Sequence, residues 1–249
     1  MGNLSDNPKT QKYLGNKGLI LLLALLSAFV PLSTDLYLPA LPTMMKFFHV
    51  SELEMNLTLI LFFVFYALAT LIWGPLSDRY GRRPVLLIGL TGYTLASILC
   101  ASAADVQQLI LFRILQASSG GAAAAVATAV VKDVYQGRKQ ESILAIVQSM
   151  VVICPAVAPV IGALLLKFTS WRGIFATQAI LGVVVVAGSF AFQETIESKN
   201  SNMNLVHIKK SRLRHPAGSL YSHKHFRYGF YFVFFVYLSG RLWTGQPEI

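Results

Sequence analysis

The sequence predicts an all-α, polytopic membrane protein built around six helices that cross a lipid bilayer. Hydrophobic residues make up 55% of the 249-residue chain and charged residues only 13%, and the mean hydropathy is +0.57. A helix needs about 20 apolar residues to cross the hydrocarbon core of a bilayer. Six apolar runs reach that length, at 18–38, 55–76, 84–104, 107–131, 142–166 and 173–192. None of them shows the alternating pattern of a membrane barrel strand.

The placement of lysine and arginine predicts the topology. The formal net charge is +10. With the N-terminus in the cytoplasm, the outer connections hold only Lys46, Lys167 and Arg172, and the cytoplasmic segments hold nearly all other basic residues. This is the positive-inside asymmetry. The basic charge therefore orients the chain in the membrane, and a nucleic-acid partner is not expected.

The chain divides into four segments. They are a cytoplasmic N-terminal tail (1–17), a six-helix bundle (18–193), a basic cytoplasmic segment (194–225) and a partial hydrophobic segment with the C-terminus (226–249). The first apolar run is longer than the core of a signal peptide, and no small-residue cleavage site follows closely, so it is interpreted as a retained helix. The last apolar run, 226–240, is shorter than a bilayer crossing and is marginal as a seventh span.

The helix boundaries follow from prolines and polar residues. Residues 38–42, with two prolines, are expected to end the first helix, and Pro31 is expected to kink it. An outer loop from Lys46 to Glu54 then leads to the second helix. The short link at Ala104-Asp105 makes the third and fourth helices antiparallel neighbours. The fifth helix is expected to start near Ser142.

The sixth helix follows an outer turn at 167–172, where Trp171 and Arg172 are typical of an interfacial anchor. Six helices with short connections divide as three plus three, with the second triplet inverted. Cys100 and Cys154 fall inside predicted helices, so we expect buried packing residues rather than a disulfide or a metal pair.

The connection between the second and third runs holds the most specific motif, Gly-Pro-Leu-Ser-Asp-Arg-Tyr-Gly-Arg-Arg-Pro at 74–84. Three arginines require this turn to lie at a membrane surface. Glycines permit a tight turn, and Pro84 is expected to start the third helix. Asp78 among the arginines predicts a charge network. The expected gating residues are Gly74, Asp78, Arg79, Gly81, Arg82 and Arg83.

This motif resembles the G-x-L-(S/A)-D-R-x-G-R-(R/K) loop of the major facilitator superfamily, and every fixed position is filled. The resemblance implies a six-helix bundle of major facilitator type with a 3+3 inverted repeat. It also implies that Asp78 latches the two halves of a transporter when the cavity opens outward. The alternative interpretation is a basic loop that only anchors the chain.

Arg113 lies within the fourth run, where a charged residue is costly unless it is paired or faces water. Helical spacing places Arg113, Gln116, Gly120 and Ala124 on one face. The stretch is similar to the superfamily motif R-x-x-Q-G-x-G-A, with Ser118-Ser119 before the glycines. The resemblance implies a role for the arginine in proton transfer. The alternative is an arginine that extends to the outer surface.

Asp35 lies in the first run at a depth that matches Arg113. Both positions are about 9 Å below the outer end of their helices, at about 1.5 Å of rise per residue. We therefore hypothesise that Asp35 and Arg113 face one cavity and pair or compete for a proton. The alternative is that Asp35 lies at a helix end, where its carboxyl is hydrated beside the outer loop.

The fifth run contains Pro155, Pro159 and Gly162, which predict a kinked helix. The stretch resembles the antiporter motif G-P-x-x-G-G of drug exporters, with Ala158 and Ala163 in place of two glycines. Kinked helices are also common in membrane proteins that transport in either direction.

Together with Thr34-Asp35-Leu36-Tyr37-Leu38-Pro39 and the Trp-Arg turn, these motifs resemble the bicyclomycin and chloramphenicol resistance (Bcr/CflA) branch of drug:proton antiporters. The resemblance covers 18–193, whereas such transporters have twelve helices. It implies a multi-pass protein of the bacterial inner membrane that exports hydrophobic small molecules in exchange for protons, here as a truncated N-terminal half. The missing half or a second copy would then be a partner.

Two alternatives remain, a non-transporting truncated or half-size membrane protein and an importer of another small solute. No nucleophile with a base, nucleotide loop or metal constellation occurs in the sequence, so neither an enzyme nor a cofactor is expected.

Overall fold

The computed structural model describes residues 14–195, which form six membrane-length helical spans. The helices are α1 (Gly15–Tyr37), α2 (Leu41–Phe48), α3 (Glu52–Tyr80), α4 (Arg82–Ala101), α5 (Val106–Val134), α6 (Gly137–Phe168) and α7 (Trp171–Phe190). A 3₁₀ turn, Leu38–Ala40, joins α1 to α2, and together they make one span. No strand occurs in this part of the chain. The predicted all-α class with six spanning helices is confirmed.

Part of the predicted organisation lies outside the described residues. This applies to the first thirteen residues of the N-terminal tail, to nearly all of the basic segment 194–225 and to the apolar run 226–240.

The helices pack partly as expected for a three-plus-three repeat, in which equivalent helices of the two triplets make equivalent contacts. α1 with α2, then α3 and α4, make the first triplet, and α5, α6 and α7 make the second. The first span packs against α6, and α5 packs in the corresponding way against α3. The last helices of the two triplets, α4 and α7, pack against each other. Exchanging the triplets therefore preserves these three contacts, but the extensive contact between α4 and α5 has only a minor counterpart between α7 and α1.

α1 ends at Tyr37, directly before residues 38–42 that were predicted to end the first helix, but the span continues beyond them through the 3₁₀ turn and α2. Pro39 and Pro42 lie in the first turns of the 3₁₀ helix and of α2. A proline is tolerated there because its missing N–H would have no intrahelical acceptor. Lys46, expected in a loop, lies in the last turn of α2, which ends at His49 in a left-handed conformation. α1 also continues through Pro31 without interruption.

The second span begins earlier and ends later than predicted. Ser51 and Glu54 form a capping box: the Ser51 hydroxyl accepts from the Glu54 N–H, and the Glu54 carboxylate accepts from the Ser51 N–H. Such a pair satisfies free donors of the first turn, so Glu52 and Glu54 belong to α3 rather than to a loop. At the other end α3 continues to Tyr80. Only Gly81 separates it from α4.

The connection between α5 and α6 is also shorter than predicted, because α6 begins at Gly137 rather than near Ser142. The link between α4 and α5 is short as predicted, with the Asp105 carboxylate accepting from the Gln108 N–H at the start of α5. Cys100 and Cys154 are both buried and free, as expected.

Candidate functional site

A layer of buried polar side chains separates two apolar cores. On α1 it lies at Ser33, between Val30 of one core and Leu36 of the other. The layer continues at the same level on three more helices, with Ser97 on α4, Arg113 and Gln116 on α5, and Gln178 on α7. Four helices thus place polar groups at one depth inside the bundle.

Arg113 is the centre of this layer and is completely buried, with 0% of its surface exposed. Its guanidinium stacks between Tyr37 and Phe62, 4.4 and 4.1 Å from the ring centroids. Nη1 donates to Gln116 Oε1 at 2.7 Å. Nε and Nη2 have no hydrogen-bond partner among residues 14–195. Arg113 therefore does not extend to the outer surface, and part of its hydrogen-bonding capacity is unused.

The amide of Gln116 joins Arg113 to α4, α7 and α1. Its Nε2 donates to Ser97 Oγ at 2.7 Å and to Gln178 Oε1 at 2.9 Å. Gln178 Nε2 in turn donates to the Ser33 carbonyl oxygen at 2.8 Å. Of these three side chains, only Gln116 was predicted from the sequence; Ser97 and Gln178 were not. The one available signal for Gln178 was an amide inside an otherwise apolar run.

Asp35 is 4% exposed, and its Oδ2 has no hydrogen-bond partner in the described part of the chain. No ion pair joins Asp35 to Arg113 within residues 14–195. The neighbouring Leu36 backbone packs directly against Gly162 of α6. The structure therefore buries both charges without pairing them, and a shared cavity stays a prediction.

Gly120 and Gly162 allow close helix contacts. A Cβ atom on Gly120 would lie 3.0 Å from Val30 Cγ2, and one on Gly162 would lie 2.5 Å from the Leu36 carbonyl oxygen. α6 runs through Pro155 and Pro159 as one helix. The sequence motif in α6 thus includes the contact between α6 and α1 next to Asp35.

A second polar cluster surrounds Arg82 at the start of α4. Its guanidinium contacts Asp78 Oδ1 at 2.5 Å and Asp133 Oδ2 at 2.9 Å, and donates to Ser77 Oγ at 2.5 Å. Asp78 keeps 42% of its side-chain surface exposed. Asp78 and Arg82 form an ion pair, in agreement with the predicted charge network. Asp133, near the end of α5, also contacts Arg82 and was not predicted. The gating role of Asp78 stays a prediction.

Glu194 caps the same helix from the segment after α7. Its carboxylate accepts from the backbone N–H groups of Arg82 and Arg83, at 2.9 and 3.1 Å. Gly81 permits this arrangement, since its φ is +108° and a Cβ atom there would lie 2.5 Å from Glu194 Oε2. Negative charge at a helix N-terminus is favourable. The sequence placed Glu194 only in a basic tail, and this contact was not predicted.

The remaining residues of the 74–84 motif do not take part in the ion pairs of Arg82. Gly74 lies inside α3 with open space where its Cβ would be, so the turn does not require glycine there. Pro84 is the third residue of α4 and not its first. Arg79 lies over the Tyr80 ring, and Arg83 Nη2 donates to the Phe190 carbonyl oxygen at 2.9 Å.

No group of three or more potential metal ligands occurs among the residues that the structure describes.

Replacing Glu194 by alanine is expected to lower the free energy of unfolding by about 1 kcal/mol, because two N–H groups of α4 lose their acceptor. Glu194→Gln keeps one acceptor oxygen and should cost less. The unfolding midpoint of the purified protein in detergent measures both. Glu141→Ala, at an exposed position on α6, is the control, and an equal midpoint for the two alanine variants would contradict the capping role.

The family model described as Major Facilitator Superfamily matches residues 23–245, and so continues past Gln193. The chloramphenicol resistance protein of Pseudomonas aeruginosa is 38% identical over 173 residues, which are 69% of this chain and 41% of that protein. The multidrug resistance protein MdtL of Klebsiella pneumoniae is 30% identical over 166 residues, 66% of this chain and 42% of that protein.

Two solved structures have a similar fold. The human organic anion transporter MFSD10 has a TM-score of 0.62 at 18% identity, over 76% of this chain and 51% of that one. The proton:xylose symporter XylE has a TM-score of 0.62 at 14% identity, over 72% of this chain and 46% of that one. The chain spans about two fifths of the length of the curated relatives named above.

Proposed function

Since this chain belongs to the Major Facilitator Superfamily, we propose that its six-helix bundle serves the export of hydrophobic small molecules in exchange for protons. The relatives named for chloramphenicol and multidrug resistance support export of drug-like substrates. We place the bundle in a bacterial inner membrane with its N-terminus in the cytoplasm, because the basic residues favour that side.

The observation that carries the proposal is the buried, unpartnered carboxyl of Asp35. A carboxylate removed from water without a partner is strongly disfavoured, and taking up a proton removes that penalty. Asp35 is therefore the proposed proton carrier. Arg113, the fixed positive charge at the centre of the polar layer, disfavours a second cation nearby. Asp35 would then release its proton when substrate enters and take up a proton when substrate leaves.

Alternating access requires one bundle to rock against another. α3 and α6 are the helices with the least buried spans in this bundle, which leaves them available for such a neighbour. Either a second copy of this chain or a separate second bundle would fill that role, and Asp78, half-exposed beside Arg82, is the proposed latch between them.

The experiment is an accumulation assay for radiolabelled chloramphenicol in bacteria that lack their own exporters. Cells that produce the 249-residue chain are expected to accumulate less label than cells with an empty vector, and a protonophore should remove the difference. Equal accumulation, with the protein present in the membrane, would contradict export by this chain. It would favour the alternative of a non-transporting half-size protein.

A further inference from the structure

Gln178 connects Arg113 to the part of α1 that carries Asp35. It is 1% exposed, accepts from Gln116 Nε2 at 2.9 Å and donates to the Ser33 carbonyl oxygen at 2.8 Å. Ser33 is two residues before Asp35 in the same helix. We propose that Gln178 is a positioning residue for proton coupling, which ties the position of α1 to the orientation of Gln116 beside Arg113. This inference rests on the proposed function.

The row of hydrogen bonds from Arg113 through Gln116 and Gln178 to Ser33 has only one possible donor-to-acceptor direction. The guanidinium of Arg113 only donates, and the carbonyl of Ser33 only accepts. Gln116 must therefore turn its oxygen to Arg113 and its nitrogen to Gln178. Gln178 must then turn its oxygen to Gln116 and its nitrogen to Ser33. Reversing either amide would place two donors or two acceptors against each other.

This direction makes the connection costly to break. All the side chains in it are buried, and a buried donor or acceptor that loses its partner costs more than the bond itself contributed. A shift of α1 at Ser33 therefore moves Gln178 or leaves its amide unpaired. If the Gln116 amide follows Gln178, its oxygen moves relative to Arg113 Nη1, and its nitrogen moves relative to Ser97 of α4. A change at Asp35 thus reaches Arg113 without an ion pair.

The test compares Gln178→Leu with Gln178→Glu, using Gln107→Leu as a matched control. Gln107 is an exposed residue of α5, so its replacement by leucine should leave the pH profile of proton-driven export unchanged. Gln178→Leu is expected to lower export and shift that profile. Gln178→Glu should recover export at acidic pH, since only the protonated acid has an O–H to donate to Ser33. An unchanged pH profile in both Gln178 variants would overturn the inference.

A second measurement is independent of export. Unfolding midpoints are compared for Gln116→Leu, Gln178→Leu and the double variant in detergent. The double variant should lose less than the combined losses of the single variants, because the two side chains share one connection. Additive losses overturn the inference whether or not export is seen. Non-additive losses in a protein that does not export would support the connection between Gln116 and Gln178, but would overturn the proposed function and, with it, a role of Gln178 in proton coupling.

Discussion

Replacing Asp35 by asparagine is expected to reduce proton-driven export to the level of membranes without the protein. Asparagine keeps the size of the side chain and, like a protonated carboxyl, has both a donor and an acceptor, but it cannot gain or lose a proton. Because Asp35 is buried and its Oδ2 is unpartnered, the change should remove the exchanged proton without breaking a contact. Substrate uptake into inverted membrane vesicles under an imposed pH gradient measures the effect.

Asp105→Asn is the matched control for this experiment. Asp105 is exposed and caps α5 by accepting from the Gln108 N–H, and asparagine caps a helix about as well as aspartate. The control should therefore export as the unmodified chain does. If Asp35→Asn exported at the same rate under the same gradient, Asp35 would not be the proton carrier.

Replacing Gly162 by alanine is expected to destabilise the bundle by about 1–3 kcal/mol, the usual cost of forcing an extra methyl group into a packed interior. The new Cβ would lie 2.5 Å from the Leu36 carbonyl oxygen and 3.2 Å from its carbon. Both are backbone atoms that cannot rotate away, so α1 and α6 must separate. Because Leu36 is next to Asp35, export should fall as well. Unfolding midpoints in detergent measure the change in stability.

Gly188→Ala is the control for this substitution. Gly188 also lies in a helix, α7, but nothing lies within 4 Å of the Cβ position. Its unfolding midpoint should stay close to that of the unmodified protein. Similar losses for both variants would mean that the effect comes from the glycine itself rather than from the contact between α1 and α6.

Hydropathy was sufficient to predict the spans but not their ends. Each apolar run corresponds to one span, because bilayer thickness sets the length of a crossing helix. The ends depend on local features that hydropathy does not report. Pro39 and Pro42 were predicted to end the helical path, although they lie in the first turns of the 3₁₀ helix and of α2. Ser51 caps the start of α3 through a capping box. The motif at 74–84, expected to form a surface turn, is helical on both sides of Gly81.

The candidate site was predictable only where its residues share one helix. Arg113 and Gln116 are one turn apart, so spacing alone places them together. Gln178 lies in another helix with no local signal for its partner. The matched depths of Asp35 and Arg113 did not fix their directions, because each residue turns the helix by about 100°. The predicted depth of Asp35 also assumed that the first helix ends at residues 38–42, whereas the helical path continues to Phe48.

The most direct test of the account is the release of protons when substrate binds. The purified 249-residue chain in weakly buffered detergent solution is mixed with chloramphenicol, and a pH indicator dye reports the protons released. If the substrate and a proton on Asp35 exclude each other, the unmodified chain and Asp105→Asn should release protons on mixing, whereas Asp35→Asn should release none. Equal proton release from the Asp35→Asn and unmodified chains would contradict the central claim that Asp35 carries the exchanged proton.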